Sequence, residues 1–262
     1  YLLTAASAEL RDLDHLVQQV EAGEQVEIRN TTEERGVIVL AGPKARDVLS
    51  GLTDASLENA DFPWRTAQQI EIAGIPTLAL RINYVGELGW ELHPAMTDLP
   101  ALYNGVWAAG EGHGIADFGL YAMNSLRMEK GYRGWGAELT NEVTMLEADM
   151  ARFYASAKDD FLGKAATETN EAGPLRLVYF EVEAEDADVR GGEPIFLGDT
   201  CVGVTTSGGY GYAVEKSLGF GYVPPEQAEP GSVIDIGLLD ARCRATVLAE
   251  PIYDPANERL AS

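Results

Sequence analysis

The chain has 262 residues, of which 46% are hydrophobic and 23% charged, and its formal net charge is −23. This composition supports a packed core in one large domain or two modest ones, and it excludes a disordered chain. The negative charge argues against nucleic-acid binding, because the phosphate backbone would be repelled. No apolar run reaches about 18 residues, so the sequence predicts no membrane span.

Residues that bind metals or act as nucleophiles are few. Cys201 and Cys243 stand far apart in the sequence, which favours a reduced, intracellular setting. His15, His93 and His113 form no ligand motif, so we predict no metal site. The location predicted is the cytoplasm, or the mitochondrial matrix if the source is a eukaryote.

The chain begins with Tyr1, and the segment YLLTAAS is typical of the end of a strand already under way. We therefore expect an N-terminally incomplete domain. Either the chain is a fragment of a larger protein, or the missing part lies on another polypeptide.

The first half of the chain alternates helical and strand patterns. A helix is predicted over about residues 8–21, with Ser7 as its cap and one apolar face, and strands are predicted in QVEIRN and GVIVLAGP. Pro43 begins a second helix, and Ala73 and Gly74 form the turn of a hairpin. NYVGELGWELHP then predicts a turn, with Gly86 and Gly89 as turn glycines, followed by a strand.

Two further helices, from residue 98 and over 118–130, complete an α+β domain predicted at 1–173. From Leu175 onward, six short strand patterns recur at roughly ten-residue spacing with Gly and Pro between them. This second region, 174–262, is predicted to be a small β-barrel or sandwich.

Three stretches are unusual for segments that have only a structural role: YVGELGWELH, SLRMEKGYRGWGAEL and TTSGGYGYAVEKSLGFGYV. Together with VLAGPKARDVL and DDFLGKAA they resemble, in order and over essentially the whole chain, the folate-binding family that includes the aminomethyltransferase of the glycine cleavage system. The resemblance is greatest to the C-terminal folate region of dimethylglycine and sarcosine dehydrogenases and oxidases. It implies ferredoxin-like folate-binding subdomains around a channel, followed by a C-terminal β-barrel.

The resemblance also implies the cofactor and the site. Tetrahydrofolate is the implied cofactor, and a carboxylate accepts two adjacent N–H donors of its pterin edge side by side. By matching position Glu91 is the pterin-binding residue and Tyr84 is the tyrosine of the site. His93 lies two positions further along the strand, on the face of Glu91, so it and the neighbouring Leu92 are included. The alternatives are that Glu91 faces water on an edge strand and that Tyr84 is a turn aromatic.

Four further residues are candidates for the folate site. Thr4 and Ala5 fall where the backbone of relatives approaches the folate. Arg127 either faces the folate or, as we favour, forms a structural ion pair with Glu129 or Glu91. Trp135 is either a channel wall or ordinary core packing. Strand alternation places Trp90 opposite Glu91, in the core.

Two departures from the family pattern matter for function. Met123 stands where the glycine-cleavage enzymes have an Arg, which favours the dehydrogenase-type relatives. The family's catalytic Asp lies upstream of the strand that YLLTAAS ends, so no residue here is assigned as the catalytic base. FAD is expected on the missing N-terminal region or on a partner subunit.

The resemblance thus implies the folate-binding module of an enzyme that captures carbon from a methylamine-derived iminium as 5,10-methylene-tetrahydrofolate. Its expected partner is a flavin-dependent oxidase domain or subunit. The alternatives are an aminomethyltransferase of the glycine cleavage system, a folate-dependent O- or S-demethylase, and a non-catalytic folate-binding scaffold.

Overall fold

The computed structural model describes residues 1–169 and 173–262, and these form two compact units. The first unit comprises Tyr1–Asn83 and Leu88–Ile115, and the second comprises Tyr84–Glu87 and Ala116–Ser262. The chain thus leaves the first unit for four residues before strand β4 and then returns to it. The domain boundary between residues 173 and 174 stays a prediction, because these units are defined by packing.

The first unit contains three α-helices and four strands. In chain order they are α1 (Glu9–Gln18), β1 (Ile38–Ala41), α2 (Ala45–Ser50), β2 (Ala67–Ile72), β3 (Ile75–Leu80), β4 (Gly89–His93) and α3 (Leu99–Gly110). The strands form one sheet in the order β1-β4-β3-β2, and every neighbouring pair is antiparallel.

The predicted hairpin is confirmed. Strands β2 and β3 pair from Ala67↔Leu80 to Ile72↔Ile75, and Ala73 and Gly74 connect them with φ of 51° and 76°. Two consecutive positive φ angles are typical of the type I′ turn, whose twist matches that of paired strands.

One face of this sheet carries the hydrophobic core of the first unit. Trp90 and Leu92, at alternate positions of β4, are fully buried there. Helix α3 contributes Leu102 and Val106 to the same core, and α2 contributes Leu49. The alternation of a strand therefore sends the even-numbered residues of β4 inward and leaves Glu91 and His93 on the other face.

Gly86 and Gly89 differ in their physical role. Gly86 has φ +81° and is a turn glycine as predicted, whereas Gly89 is the first residue of β4 and pairs with Ala41. A Cβ on Gly89 would lie 2.5 Å from the carbonyl oxygen of Leu40. The turn-geometry interpretation of Gly89 is wrong, because the close approach of β1 is what requires glycine.

Gly89→Ala is therefore expected to lower the free energy of unfolding by about 1–3 kcal/mol, because the added methyl group pushes β1 and β4 apart. Urea unfolding followed by circular dichroism measures the loss. Gly112→Ala is the matched control, since no atom lies within 4 Å of a Cβ there. Equal stability of the two variants would contradict the close-approach explanation.

Two predictions in the N-terminal segment need correction. Ser7 lies inside a 3-10 turn, Ala6–Ala8, and makes no capping bond to α1. QVEIRN is not a strand, because no strand among the described residues lies beside it to pair its backbone groups. The helix itself is confirmed, but its apolar face is largely exposed, with Leu10 at 72% and Val17 at 54%.

The second unit contains the predicted barrel. Its elements are α4 (Leu120–Glu129), α5 (Lys164–Thr169), β5 (Arg176–Val182), β6 (Pro194–Leu197), β7 (Thr200–Gly211), β8 (Lys216–Val223), β9 (Val233–Leu238), β10 (Ala241–Val247) and α6 (Glu258–Ala261). Six strands close in the order β10-β5-β8-β7-β6-β9. The α+β class and the C-terminal β-barrel are both confirmed.

Within the described ranges no helix combines the length and apolar character that crossing a membrane requires. The same ranges contain no group of three or more His, Cys, Asp or Glu residues placed to hold a metal ion.

Candidate functional site

Glu91 lies in the middle of β4, on the face opposite the core. Its Cα partners are Val39 on β1 and Leu80 on β3. Residues directly opposite each other in an antiparallel ladder share a face, so the carboxylate lies between two apolar side chains. The Glu91 side chain is 22% exposed. The edge-strand alternative for Glu91 is wrong, because β4 is paired on both sides.

His93 shares the face of Glu91, as predicted, and is fully buried. Its Nε2 lies 3.3 Å from Oε2 of Glu91, and its Nδ1 lies 3.2 Å from the Tyr1 hydroxyl. Of the two tautomers of the imidazole, the one with its hydrogen on Nε2 satisfies both contacts, because it donates to the Glu91 carboxylate and accepts from the Tyr1 hydroxyl at Nδ1. Both ring nitrogens are therefore occupied within the protein.

The carboxylate of Glu91 retains most of its accepting capacity. Within residues 1–169 and 173–262, His93 is its side-chain hydrogen-bond partner, and no Lys or Arg pairs with it. A carboxylate offers about four lone-pair positions, and His93 uses one of them. The group can therefore accept two adjacent donors from a ligand.

The residues directly before and after Glu91 in the sequence are large and apolar because their side chains lie in the core. Trp90 is in the core, as predicted, with its ring edge against Phe62 at a centroid distance of 6.2 Å. Leu92 is fully buried in the same core. Its side chain thus faces away from Glu91, which leaves only its backbone for a ligand, and its folate role stays a prediction.

Thr4 and Ala5 belong to the first unit but are not joined to Glu91 by a hydrogen bond. The hydroxyl of Thr4 donates a hydrogen bond to Asp12. This bond is the largest cause of the lowered pKa of the Asp12 carboxyl, and a hydrogen bond from Arg11 is the second. The carbonyl of Ala5 accepts from the amide of Ala8 at 2.8 Å. Their predicted approach to folate stays a prediction.

Tyr84 belongs to the second unit, where its hydroxyl is already engaged. The hydroxyl donates to the carbonyl of Arg133 at 2.7 Å, and the ring stacks on Tyr132 with centroids 5.8 Å apart. Burial raises the pKa of Tyr84, while Arg127 opposes the rise and Glu138 adds to it. The turn-aromatic alternative is incomplete, because this tyrosine is bound to the segment that carries Trp135.

Arg127 forms the buried ion pair that we favoured, but its partner is Glu138. Its Nη1 lies 3.1 Å from Oε2 of Glu138, and the guanidinium also donates to Oδ1 of Asn124 and to the carbonyl of Tyr132. The predicted partners Glu129 and Glu91 are wrong. Glu129 instead accepts from the amide of Ala213, because the helix turns its carboxylate toward a different strand end.

Glu138 is a buried residue that sequence reasoning missed. Its side chain is completely buried and also accepts from the amide of Gly134 at 2.7 Å and from the hydroxyls of Thr206 and Ser207. A signal was present, since Glu138 lies in the same motif as Arg127 and a buried arginine requires a carboxylate.

Trp135 is 66% exposed, so the core-packing alternative is wrong for it. It pairs in an isolated bridge with Leu139, on the short loop that Glu138 binds at Gly134. A large exposed aromatic on a braced loop is available to a ligand, and its role as a channel wall stays a prediction.

Glu87, on the turn next to Tyr84, has a partner far along the chain. It accepts a hydrogen bond from the hydroxyl of Tyr253, whose pKa is raised to about 12 by burial and by the adjacent Glu87. Asp254, the next residue of this C-terminal segment, forms an ion pair with the buried Lys130 at 3.0 Å. The C-terminal segment therefore braces the turn that carries Tyr84.

Two family models match the two parts of the chain. A model described as the GCVT N-terminal domain matches residues 1–158. A model described as the glycine cleavage T-protein C-terminal barrel domain matches residues 176–254, which include the six barrel strands.

Curated relatives match over nearly all of the chain. The mitochondrial dimethylglycine dehydrogenase of Homo sapiens is 40% identical over 265 residues, covering 99% of this chain and 31% of its own length. The mitochondrial sarcosine dehydrogenase of Mus musculus is 34% identical over 245 residues, covering 89% of this chain and 26% of its own. The chain thus spans about a third or less of these two dehydrogenases.

A shorter relative and a solved structure complete the comparison. The aminomethyltransferase of Listeria welshimeri is 32% identical over 258 residues, covering 97% of this chain and 69% of that protein. The crystal structure of the glycine cleavage system aminomethyltransferase T from Bartonella henselae shares the fold, with a TM-score of 0.80 at 22% identity over 95% of this chain and 67% of its own.

The α+β unit and the closed barrel define an aminomethyltransferase-like protein. The chain belongs to the GCVT family, and it is homologous to dimethylglycine and sarcosine dehydrogenases.

Proposed function

We propose that this chain is the tetrahydrofolate-binding part of a one-carbon-transfer enzyme of the dimethylglycine or sarcosine dehydrogenase type. The observation that carries the proposal is Glu91, a half-buried carboxylate on an interior strand with unused accepting capacity. Family membership and the identity to the two dehydrogenases support it.

The surroundings of Glu91 fit the pterin of tetrahydrofolate. Its aminopyrimidine edge presents adjacent N–H donors, which a carboxylate accepts side by side as charge-assisted hydrogen bonds. Val39 and Leu80 flank Glu91 on the same face and provide apolar surface for a flat ring. Tyr84 and Trp135 belong to the second unit, and their folate roles stay predictions of the family resemblance.

In this proposal the residues of the chain bind and orient the folate. Bound tetrahydrofolate would supply the N5 and N10 amines that take up the carbon of a methylamine-derived iminium, which gives 5,10-methylene-tetrahydrofolate and releases the demethylated amine and a proton. Glu91 holds the pterin edge at a fixed angle, and such positioning lowers the entropic part of the barrier. No proton acceptor is assigned among the residues of this chain, and FAD is proposed to be carried by a flavin-dependent oxidase domain or subunit.

The aminomethyltransferase activity of the glycine cleavage system is the second candidate. It is favoured by the relative from Listeria welshimeri, of which the chain covers 69%. Met123, which stands where those enzymes have an Arg, argues against it. The names of the dehydrogenase relatives support a mitochondrial location if the source is a eukaryote, and the cytoplasm stays the prediction otherwise.

Glu91→Gln is expected to weaken tetrahydrofolate binding by roughly 30-fold or more, about 2–3 kcal/mol. The reason is that the carboxamide carries no charge and turns an N–H group toward the donors of the ligand. Isothermal titration calorimetry of the chain under anaerobic conditions measures the change.

Glu71→Gln is the matched control, because it removes the same charge from an exposed position on strand β2 of the same sheet. Its affinity is expected to stay within about twofold of the parent, since an exposed charge is largely screened. An unchanged affinity for Glu91→Gln would overturn the folate site proposed here.

A further inference from the structure

The hydrogen-bond series from Tyr1 to His93 to Glu91 has no role in the proposed ligand contacts. His93 is fully buried, and both of its ring nitrogens are occupied, Nδ1 by the Tyr1 hydroxyl and Nε2 by Glu91. The Tyr1 ring meets the imidazole edge-on, with centroids 5.7 Å apart and an interplanar angle of 85°. The imidazole is thus held on both sides.

This arrangement restrains the carboxylate of Glu91. A glutamate side chain has three rotatable bonds, and fixing them at the moment of binding reduces affinity. The Nε2–H of a buried imidazole aims at one oxygen of Glu91 and selects one orientation of the group before a ligand arrives. Val39 and Leu80 on either side offer no competing donor from their side chains.

We propose that His93 is a positioning residue that pre-orients Glu91 for the pterin edge, with Tyr1 holding the imidazole in the required tautomer. His93 acts through Glu91 and does not itself contact the ligand. The inference rests on the proposed function and adds a residue that determines the strength of binding at that site.

The sharpest test compares two amides at position 93. In His93→Gln the terminal amide nitrogen reaches the place of Nε2 and can still donate to Glu91. In His93→Asn the shorter amide reaches only the place of Nδ1, toward Tyr1. Both variants remove the ring from the same buried position, and the packing difference that one methylene makes is read separately from the stability of each variant.

His93→Asn is expected to bind tetrahydrofolate about tenfold more weakly, and His93→Gln to stay within about threefold of the parent chain. Calorimetric titration gives the affinities, and thermal unfolding gives the stability of each variant. Equal affinities for the two variants would overturn the inference.

A double-mutant cycle separates this inference from the proposed function. In a Glu91→Gln background, His93→Asn is expected to cause little further loss, because the residue that it orients no longer carries the charge. A full tenfold loss in that background would assign His93 a role independent of Glu91 and overturn the inference. If Glu91→Gln alone leaves the affinity unchanged, the proposed function fails instead.

Discussion

Replacing Glu138 by Gln is expected to lower the free energy of unfolding by about 3–5 kcal/mol, because it leaves the Arg127 guanidinium buried without a counter-charge. The side chains of Glu138 and Arg127 are 0% and 6% exposed, so water cannot compensate. The bonds from Gly134 and Thr206 would also be weakened.

Urea unfolding followed by circular dichroism measures this loss, and Glu181→Gln is its control. Glu181 pairs with Lys216 at the surface of the barrel, where the two side chains are 32% and 43% exposed. Breaking that pair is expected to cost at most about 1 kcal/mol. A Glu138 variant that is no less stable than the Glu181 variant would contradict the buried pair as a determinant of stability.

The Glu138 network also links stability to the candidate site. The loop that Glu138 binds at Gly134 carries Trp135, and the carbonyl of Arg133 in it accepts from Tyr84. The Tyr222 hydroxyl donates a hydrogen bond to the backbone carbonyl of Glu138. Burial, and after it the nearby charge of Glu138, raises the pKa of Tyr222 to about 12. We therefore expect Glu138→Gln to disorder this loop before the barrel unfolds.

The second large effect is expected for Trp90→Ala, which is predicted to destabilise the first unit by about 3–5 kcal/mol. Trp90 is fully buried, and the guanidinium groups of Arg46 and Arg81 lie 5.9 and 5.7 Å from its ring centroid. Its removal leaves a cavity and takes away the aromatic face beside two cations.

Trp64→Ala is the matched control in the same unit, because Trp64 is only partly buried and its ring lies beside Arg65. The expected loss there is about 1–2 kcal/mol, in proportion to the smaller buried area. Urea unfolding measures both variants. Equal losses would contradict the assignment of Trp90 to the centre of this core.

Family motifs and local periodicity predicted much of the candidate site. The alternation of GWELH was sufficient to separate Glu91 and His93 from Trp90, and the structure agrees because a paired strand has a period of two. Leu92 was included by its proximity to Glu91 in the sequence, but the same alternation turns its side chain into the core.

The partners of the predicted residues could not be found in the same way. Tyr1 and His93 are 92 positions apart, and Glu87 and Tyr253 are 166 apart. No periodic pattern relates residues so distant, because their contact depends on how whole elements pack. Arg127 shows the same limit over a short range, since two nearer carboxylates were predicted and Glu138 binds it.

The sequence by itself determined the α+β class, the antiparallel hairpin at Ala73 and Gly74, and the six strands of the barrel, since each follows from turn residues and local alternation. Only the tertiary structure decided which charges are buried together and which apolar faces remain exposed. Helix α1 has a clear apolar stripe that its unit leaves largely exposed, and Glu138 is a charged residue outside any helix or strand yet is completely buried. Local pattern determines which way a side chain points along its own element, whereas burial depends on what the rest of the chain brings against that face.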